Sequence, residues 1–208
     1  MSQIVLDMSS GNTCRNDKAI VKQMIDVIKA IDTGKHEIIL KWQLSLDDGI
    51  NVPLDHDVFD YAFKYSNEQG YKTTSSVADL ESLKFLLQYD VPFIKLPNDR
   101  KLDWLIGEVP RKIPVYVSCG YSNETLFIRG CNIIYLSCVS EYPANFEAYK
   151  ERFFTDYLRH GISDHTIGLD LFKKYQPQIW EKHFKLPDST GLDAGEFAIL
   201  PEELGEIL

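Results

Sequence analysis

Apolar residues fall in short runs at regular intervals along the chain. Runs rich in β-formers occupy Ile4–Ser9, Glu37–Gln43, Lys72–Ser76, Phe93–Pro97, Val115–Cys119, Ile133–Ser137, Gly161–His165 and Ile179–His183. Several are continuously apolar rather than alternating, the pattern of strands covered on both faces. Helical spacing fills the intervals. Asp17 opens a segment with Ile20, Met24, Val27, Ile28 and Ile31 on one face, closed by Gly34. Asp57–Gly70 carries Val58, Tyr61, Ala62 and Tyr65, and Asp79–Gln88 carries Leu80, Leu83, Leu86 and Leu87 behind an Asp79 N-cap. Phe146–Leu158 carries Phe146, Tyr149, Phe153 and Tyr157. Arg100–Gly107 and Ser122–Arg129 are connectors barely long enough for two helical turns.

Strand and helix alternating in this way predict an α/β fold, a compact (β/α)8 TIM barrel closed by parallel strands. The competing arrangement is an open doubly wound sheet. No Pro/Gly/Ser linker, low-complexity tract or shift of composition divides the chain, so residues 1–208 read as a single domain.

Composition narrows the function classes. With 22 basic and 31 acidic residues the net charge is −9, which argues against a nucleic-acid-binding surface. No stretch reaches the length of a membrane span, and Met1–Asp7 lacks the basic-then-apolar order of a secretory signal. The cysteines Cys14, Cys119, Cys131 and Cys138 show no Cys-x-x-Cys spacing. Neither a zinc knuckle nor a disulfide framework is expected, and a reducing cytoplasm is the default setting.

A barrel of this kind places its chemistry at the C-terminal ends of the strands. Those ends are almost wholly polar: Asp7, Lys41, Gln43, Ser75, Ser76, Lys95, Ser118, Ser140, Tyr142, Ser163, His165, Glu181 and His183. His165 and His183 close consecutive strands, so both imidazoles can reach one spot above the barrel, a two-nitrogen start for a divalent metal. Either histidine taken singly is more often a satisfied polar residue, and it is their matched positions that favour the metal role. Lys41 and Lys95 stand inside apolar runs, where a cation is costly unless an anion compensates it. Either they snorkel to the rim or they grip phosphate and carboxylate, helped by the hydroxyls of Ser76, Ser118, Ser140 and Ser163. No Gly-x-Gly-x-x-Gly, Walker loop or nucleophile elbow is present.

Together these motifs carry a resemblance. Cys138-Val139-Ser140-Glu141-Tyr142-Pro143, Gly161-Ile162-Ser163-Asp164-His165-Thr166-Ile167-Gly168, Glu181-Lys182-His183-Phe184, Gly191-Leu192-Asp193 and Pro201-Glu202-Glu203-Leu204 follow in order. In these the chain resembles the N-acetylneuraminate synthase (sialic acid synthase) family, with weaker matches at Lys41-Trp42-Gln43, Asp79–Ser82, Val91–Lys95 and Ser118–Gly120. The resemblance implies manganese or magnesium on His165 and His183. It implies phosphoenolpyruvate held by Lys41, Lys95, Ser118 and Ser163, with Gln43 and Ser140 lining the site. An amino sugar such as N-acetylmannosamine would meet Tyr142 and Asp193. Asp7 stands where the family places a proton-handling glutamate and is the candidate catalytic base.

The departures are specific. Leu96-Pro97-Asn98-Asp99-Arg100 replaces Ile-Gly-Ser-Gly and an acid after Lys95, with Asn98 still able to donate to phosphate. Bacterial members often add an antifreeze-like cap, for which nothing follows Leu208 in this sequence, so weaker sugar retention, a different sugar or a separate capping protein is expected. The family also tends to form homodimers. Two alternatives accompany the synthase reading. One is a weakly active or inactive barrel that binds metal and anion as a scaffold. The other is an aldol-type synthase acting on a sugar phosphate, for which only Arg100 and Lys101 offer extra basic charge.

Overall fold

A computed structural model of the protein describes residues 1–44, 52–120, 131–149 and 159–208. Eight parallel strands close on themselves in sequence order: β1 Gln3–Ser9, β2 Glu37–Leu44, β3 Lys72–Val77, β4 Ile94–Leu96, β5 Val115–Cys119, β6 Ile133–Cys138, β7 Arg159–Asp164 and β8 Ile179–His183. Closure rests on the pairing of β1 with β8, from Gln3 beside Ile179 to Asp7 beside His183. That pairing excludes the open doubly wound sheet.

Alternation along each strand sorts the side chains into two populations. Ile4, Leu6, Ile38, Leu40 and Trp42 face outward into the main core, where they meet the helices. Val5, Ile39, Phe93, Tyr116, Leu136 and Ile179 form a separate apolar plug inside the barrel. Phe93 and Tyr116 stack there with ring centroids 3.8 Å apart. Two residues further along β1, β2, β5 and β8, the inward positions become Asp7, Lys41, Ser118 and Glu181. The same parity that fills the bottom of the barrel therefore aims polar groups at its top. Gly161 serves this packing, because a Cβ there would lie 2.5 Å from the Ile179 carbonyl oxygen. Only a residue without a side chain lets β7 approach β8 so closely.

The helices broadly follow the sequence pattern. After the short α1 (Gly11–Cys14), α2 spans Lys18–Ile31 behind Asp17, whose carboxylate accepts from the Ala19 amide at 2.7 Å. Its fully buried face is Val21, Met24, Ile25 and Ile28, so Ile20, Val27 and Ile31 are only partly covered. The face is turned about one residue from the expected stripe, and α2 packs chiefly against α3 (His56–Glu68). α4 (Leu80–Leu86) starts with a capping box between Asp79 and Ser82. The segment Arg100–Glu108 is a 3₁₀ helix, a tighter coil that spans the short route from β4 to β5. β4 itself is limited to three residues, shorter than Phe93–Pro97, and β7 ends at Asp164, leaving His165 just beyond it. The expected connector Ser122–Arg129 and most of the expected helix Phe146–Leu158 lie outside the described residues. Among the described residues no helix is long and apolar enough to cross a membrane.

Candidate active site

A cavity of about 620 Å³ opens at the C-terminal mouth of the barrel. Asp7, Lys41, Gln43, Ser76, Lys95, Asn98, Ser118, Tyr142, Ser163, His165, His183 and Asp193 all line it. Ser140 does not. It is exposed, and its hydroxyl accepts from the Asn98 amide, whose carbonyl in turn accepts from the Gly120 amide at 2.8 Å. Asn98 thus ties the ends of β4, β5 and β6 together, and Ser140 belongs to that tie.

The floor of the cavity is a buried charge cluster. Lys41 Nζ lies 2.5 Å from Asp7 Oδ2 and 3.8 Å from Glu181 Oε2. Lys95 Nζ lies 3.4 Å from Glu181 Oε1 and donates to Ser118 Oγ at 2.8 Å and to the Leu96 carbonyl at 3.0 Å. Gln43 Nε2 donates to Asp7 Oδ2 at 3.1 Å, the Ser9 amide donates to Asp7 Oδ1 at 3.0 Å, and Ser163 Oγ donates to Glu181 at 2.9 Å.

Glu181 is the residue whose role sequence reasoning missed, although it stood among the strand ends. Its signal was parity: Ile179, Glu181 and His183 alternate onto one face of β8. The lysines do not snorkel; the anions that make them affordable are in the protein itself. Four acidic side chains, Asp7, Glu181, Asp193 and Glu196, line the cavity against these two lysines, so it is not the cationic pocket that the lysines alone suggested.

Each titration follows from burial and neighbours. Burial pushes the Asp7 carboxyl up, but Lys41 and His183 outweigh it and hold the group down at about 2. Burial also opposes ionisation of Glu181, yet Lys41 and Lys95 keep its pKa below the usual carboxylate range. Lys95 is shifted down by burial, only partly countered by Glu181. Asp193 is raised to about 7 by burial and then by the nearby negative charge of Asp7. Burial lowers both histidines, His183 to about 4. At neutral pH the imidazoles are uncharged and Asp7 is a fixed anion, a weak base as it stands.

The two imidazoles meet over this floor, with ring centroids 5.6 Å apart. His165 Nδ1 lies 2.8 Å from the Val139 carbonyl oxygen, which makes Nδ1 the protonated nitrogen and leaves the Nε2 lone pair free. His183 has Nε2 3.5 Å from Asp7 Oδ2 and Nδ1 3.7 Å from Asp193 Oδ1. Tyr142 packs over His165 at 4.2 Å, and Phe197 meets His183 edge-on at 5.1 Å. Neutral imidazoles are what a metal needs, and Asp193 Oδ2 beside them is buried with no hydrogen-bond partner. The donors therefore fit a divalent ion in part. Among the described residues no three His, Cys, Asp or Glu side chains form a metal set by themselves. Water or substrate oxygens would have to complete the shell.

Fold and site together define a TIM-barrel protein with an ionisable cavity at the C-terminal mouth of its strands. Residues 40–208 match the NeuB family, and the chain belongs to that family. Comparison with curated proteins returns no match. Among solved structures, the N-acetylneuraminic acid (sialic acid) synthetase of Leptospira borgpetersenii, in complex with citrate, is 18% identical with a TM-score of 0.76, over 98% of this chain and 80% of that one. A spore coat polysaccharide biosynthesis protein of Bacillus subtilis is 17% identical with a TM-score of 0.74, over 99% and 66%. The phospho-2-dehydro-3-deoxyheptonate aldolase of Thermotoga maritima is 11% identical with a TM-score of 0.68, over 99% and 66%. At these identities the likeness establishes the shared barrel alone.

Proposed function

We propose that the protein condenses phosphoenolpyruvate with an open-chain N-acylated amino sugar of the N-acetylmannosamine type, giving a nonulosonic acid and inorganic phosphate. The observation that carries this reading is the meeting of two neutral imidazoles and two buried lysines in one cavity at the catalytic end of the barrel. C3 of phosphoenolpyruvate forms the new bond to the aldehyde carbon, water adds at C2, and C–O cleavage releases phosphate. Lys95, Ser118 and Asn98 bind the phosphate end, while Lys41, Gln43 and Ser163 hold the carboxylate and C2. Tyr142 and Asp193 face the sugar. Asp7 fixes Lys41 and His183, and it takes the proton from the attacking water only as charge in the cluster rearranges during the reaction. His165 and His183 would hold manganese or magnesium, which when bound supplies polarisation of the sugar aldehyde. The four cysteines, none of them in a disulfide, are in keeping with a reducing, cytoplasmic setting.

The test is phosphate release from phosphoenolpyruvate with candidate amino sugars, with and without manganese. Sugar-dependent release is expected. Its absence from folded, metal-loaded protein refutes the reading. A second reading, a barrel that binds ligand without turnover, draws on the internal neutralisation of both lysines by Asp7 and Glu181. Calorimetric binding of phosphoenolpyruvate without phosphate release would favour it.

A further inference from the structure

Tyr149 lies outside the cavity wall, completely buried behind His165. Its hydroxyl donates to the Ser163 carbonyl at 2.7 Å and accepts from two amides, His165 at 3.1 Å and Val139 at 3.3 Å. One donor and two acceptors saturate a phenol. Val139 is also the residue whose carbonyl, 2.8 Å away, holds the His165 ring through Nδ1. A single side-chain atom thus joins the residue after β6, the end of β7 and the backbone of His165.

We infer that Tyr149 is a positioning residue for His165, its hydroxyl fixing both the backbone that carries the imidazole and the carbonyl that selects the imidazole tautomer. The inference rests on the proposed role of His165 as a metal ligand, which requires Nε2 to stay unprotonated and aimed into the cavity. Burial, with Cys138 and Asp164 nearby, pushes the phenol well above its ordinary value, so the hydroxyl keeps the proton it donates to Ser163. On the other side of His165, Asp164 Oδ1 accepts from the Thr166 amide and hydroxyl, each at 2.8 Å, and Lys182 Nζ donates to the Thr166 carbonyl at 2.5 Å. The turn is therefore anchored after His165 independently, and Tyr149 supplies the anchor before it.

Tyr149→Phe fills the same space and removes only the hydroxyl. Long-range ¹H–¹⁵N spectra of the metal-free protein read the tautomer directly. Wild type is expected to show His165 protonated at Nδ1 alone, Tyr149→Phe a mixture of tautomers, and Mn²⁺ affinity at least about tenfold weaker. Tyr71→Phe, which removes a hydroxyl bond to Asp32 far from the site, is the structural control and should leave the tautomer unchanged. A single Nδ1–H tautomer in Tyr149→Phe overturns the inference, whatever the metal affinity does. Should that variant fail to fold, amide exchange in wild type decides: protected Val139 and His165 amides support it, and exchange as fast as in open loops overturns it. Absence of Mn²⁺ binding by wild type would instead remove the metal reading, while the tautomer comparison still judges Tyr149.

Discussion

Breaking the Lys95–Glu181 pair is the perturbation that most directly tests the buried charge cluster. Both side chains are at most 5% exposed and their charged atoms lie 3.4 Å apart. Removing one member of a buried pair costs about 3–5 kcal/mol, because the other charge is left unpaired. In Lys95→Met, Glu181 keeps Lys41 at 3.8 Å and the Ser163 hydroxyl at 2.9 Å. The cost should therefore fall at the lower end, about 3 kcal/mol. In Glu181→Gln, Lys95 keeps only Ser118 and the Leu96 carbonyl, and burial already lowers its pKa. With that carboxylate gone, about 3 kcal/mol is expected for this variant as well. If the charges see each other as the distances require, the double variant costs less than the two singles together, by about 2 kcal/mol. Urea unfolding followed by circular dichroism measures all four proteins, with an unchanged slope confirming a comparable unfolded state. Additivity within about 0.5 kcal/mol would refute the reasoning. Phosphoenolpyruvate affinity, measured on the same Lys95→Met sample, should fall as well.

Other outcomes follow from the same geometry. His183→Ala should abolish metal-dependent phosphate release while the circular dichroism spectrum stays native; an undiminished rate would remove His183 from the metal shell. Gly161→Ala forces a methyl group to within 2.5 Å of the Ile179 carbonyl oxygen and should cost about 1–3 kcal/mol, seen as a lower melting temperature. An unshifted melt would mean that β7 and β8 separate freely.

The barrel was legible because its determinants are local. Most strands are short runs rich in β-formers, and alternation within them sends Val5 and Ile39 to the interior plug and Asp7 and Lys41 to the mouth two residues later. The pairing of His165 with His183 was readable on the same ground, since strand ends sit at one level. Alternation also marked Glu181, yet it gave no reason to single that residue out. Readable along the chain, then, were the kind of fold, the end of the barrel at which the polar cavity opens, and most residues that line it. Which charges neutralise which was set by the closure of the barrel. Asp7 and His183 become neighbours through the closure of β1 on β8, a contact between distant parts of the chain. Glu181 lies between two lysines from β2 and β4 for the same reason. Ser140 turns away to Asn98, the buried face of α2 shifts by a residue, and Tyr149 inserts its hydroxyl behind His165. Each depends on how several elements meet in space, and a pairing across the barrel leaves no period in the one-dimensional pattern.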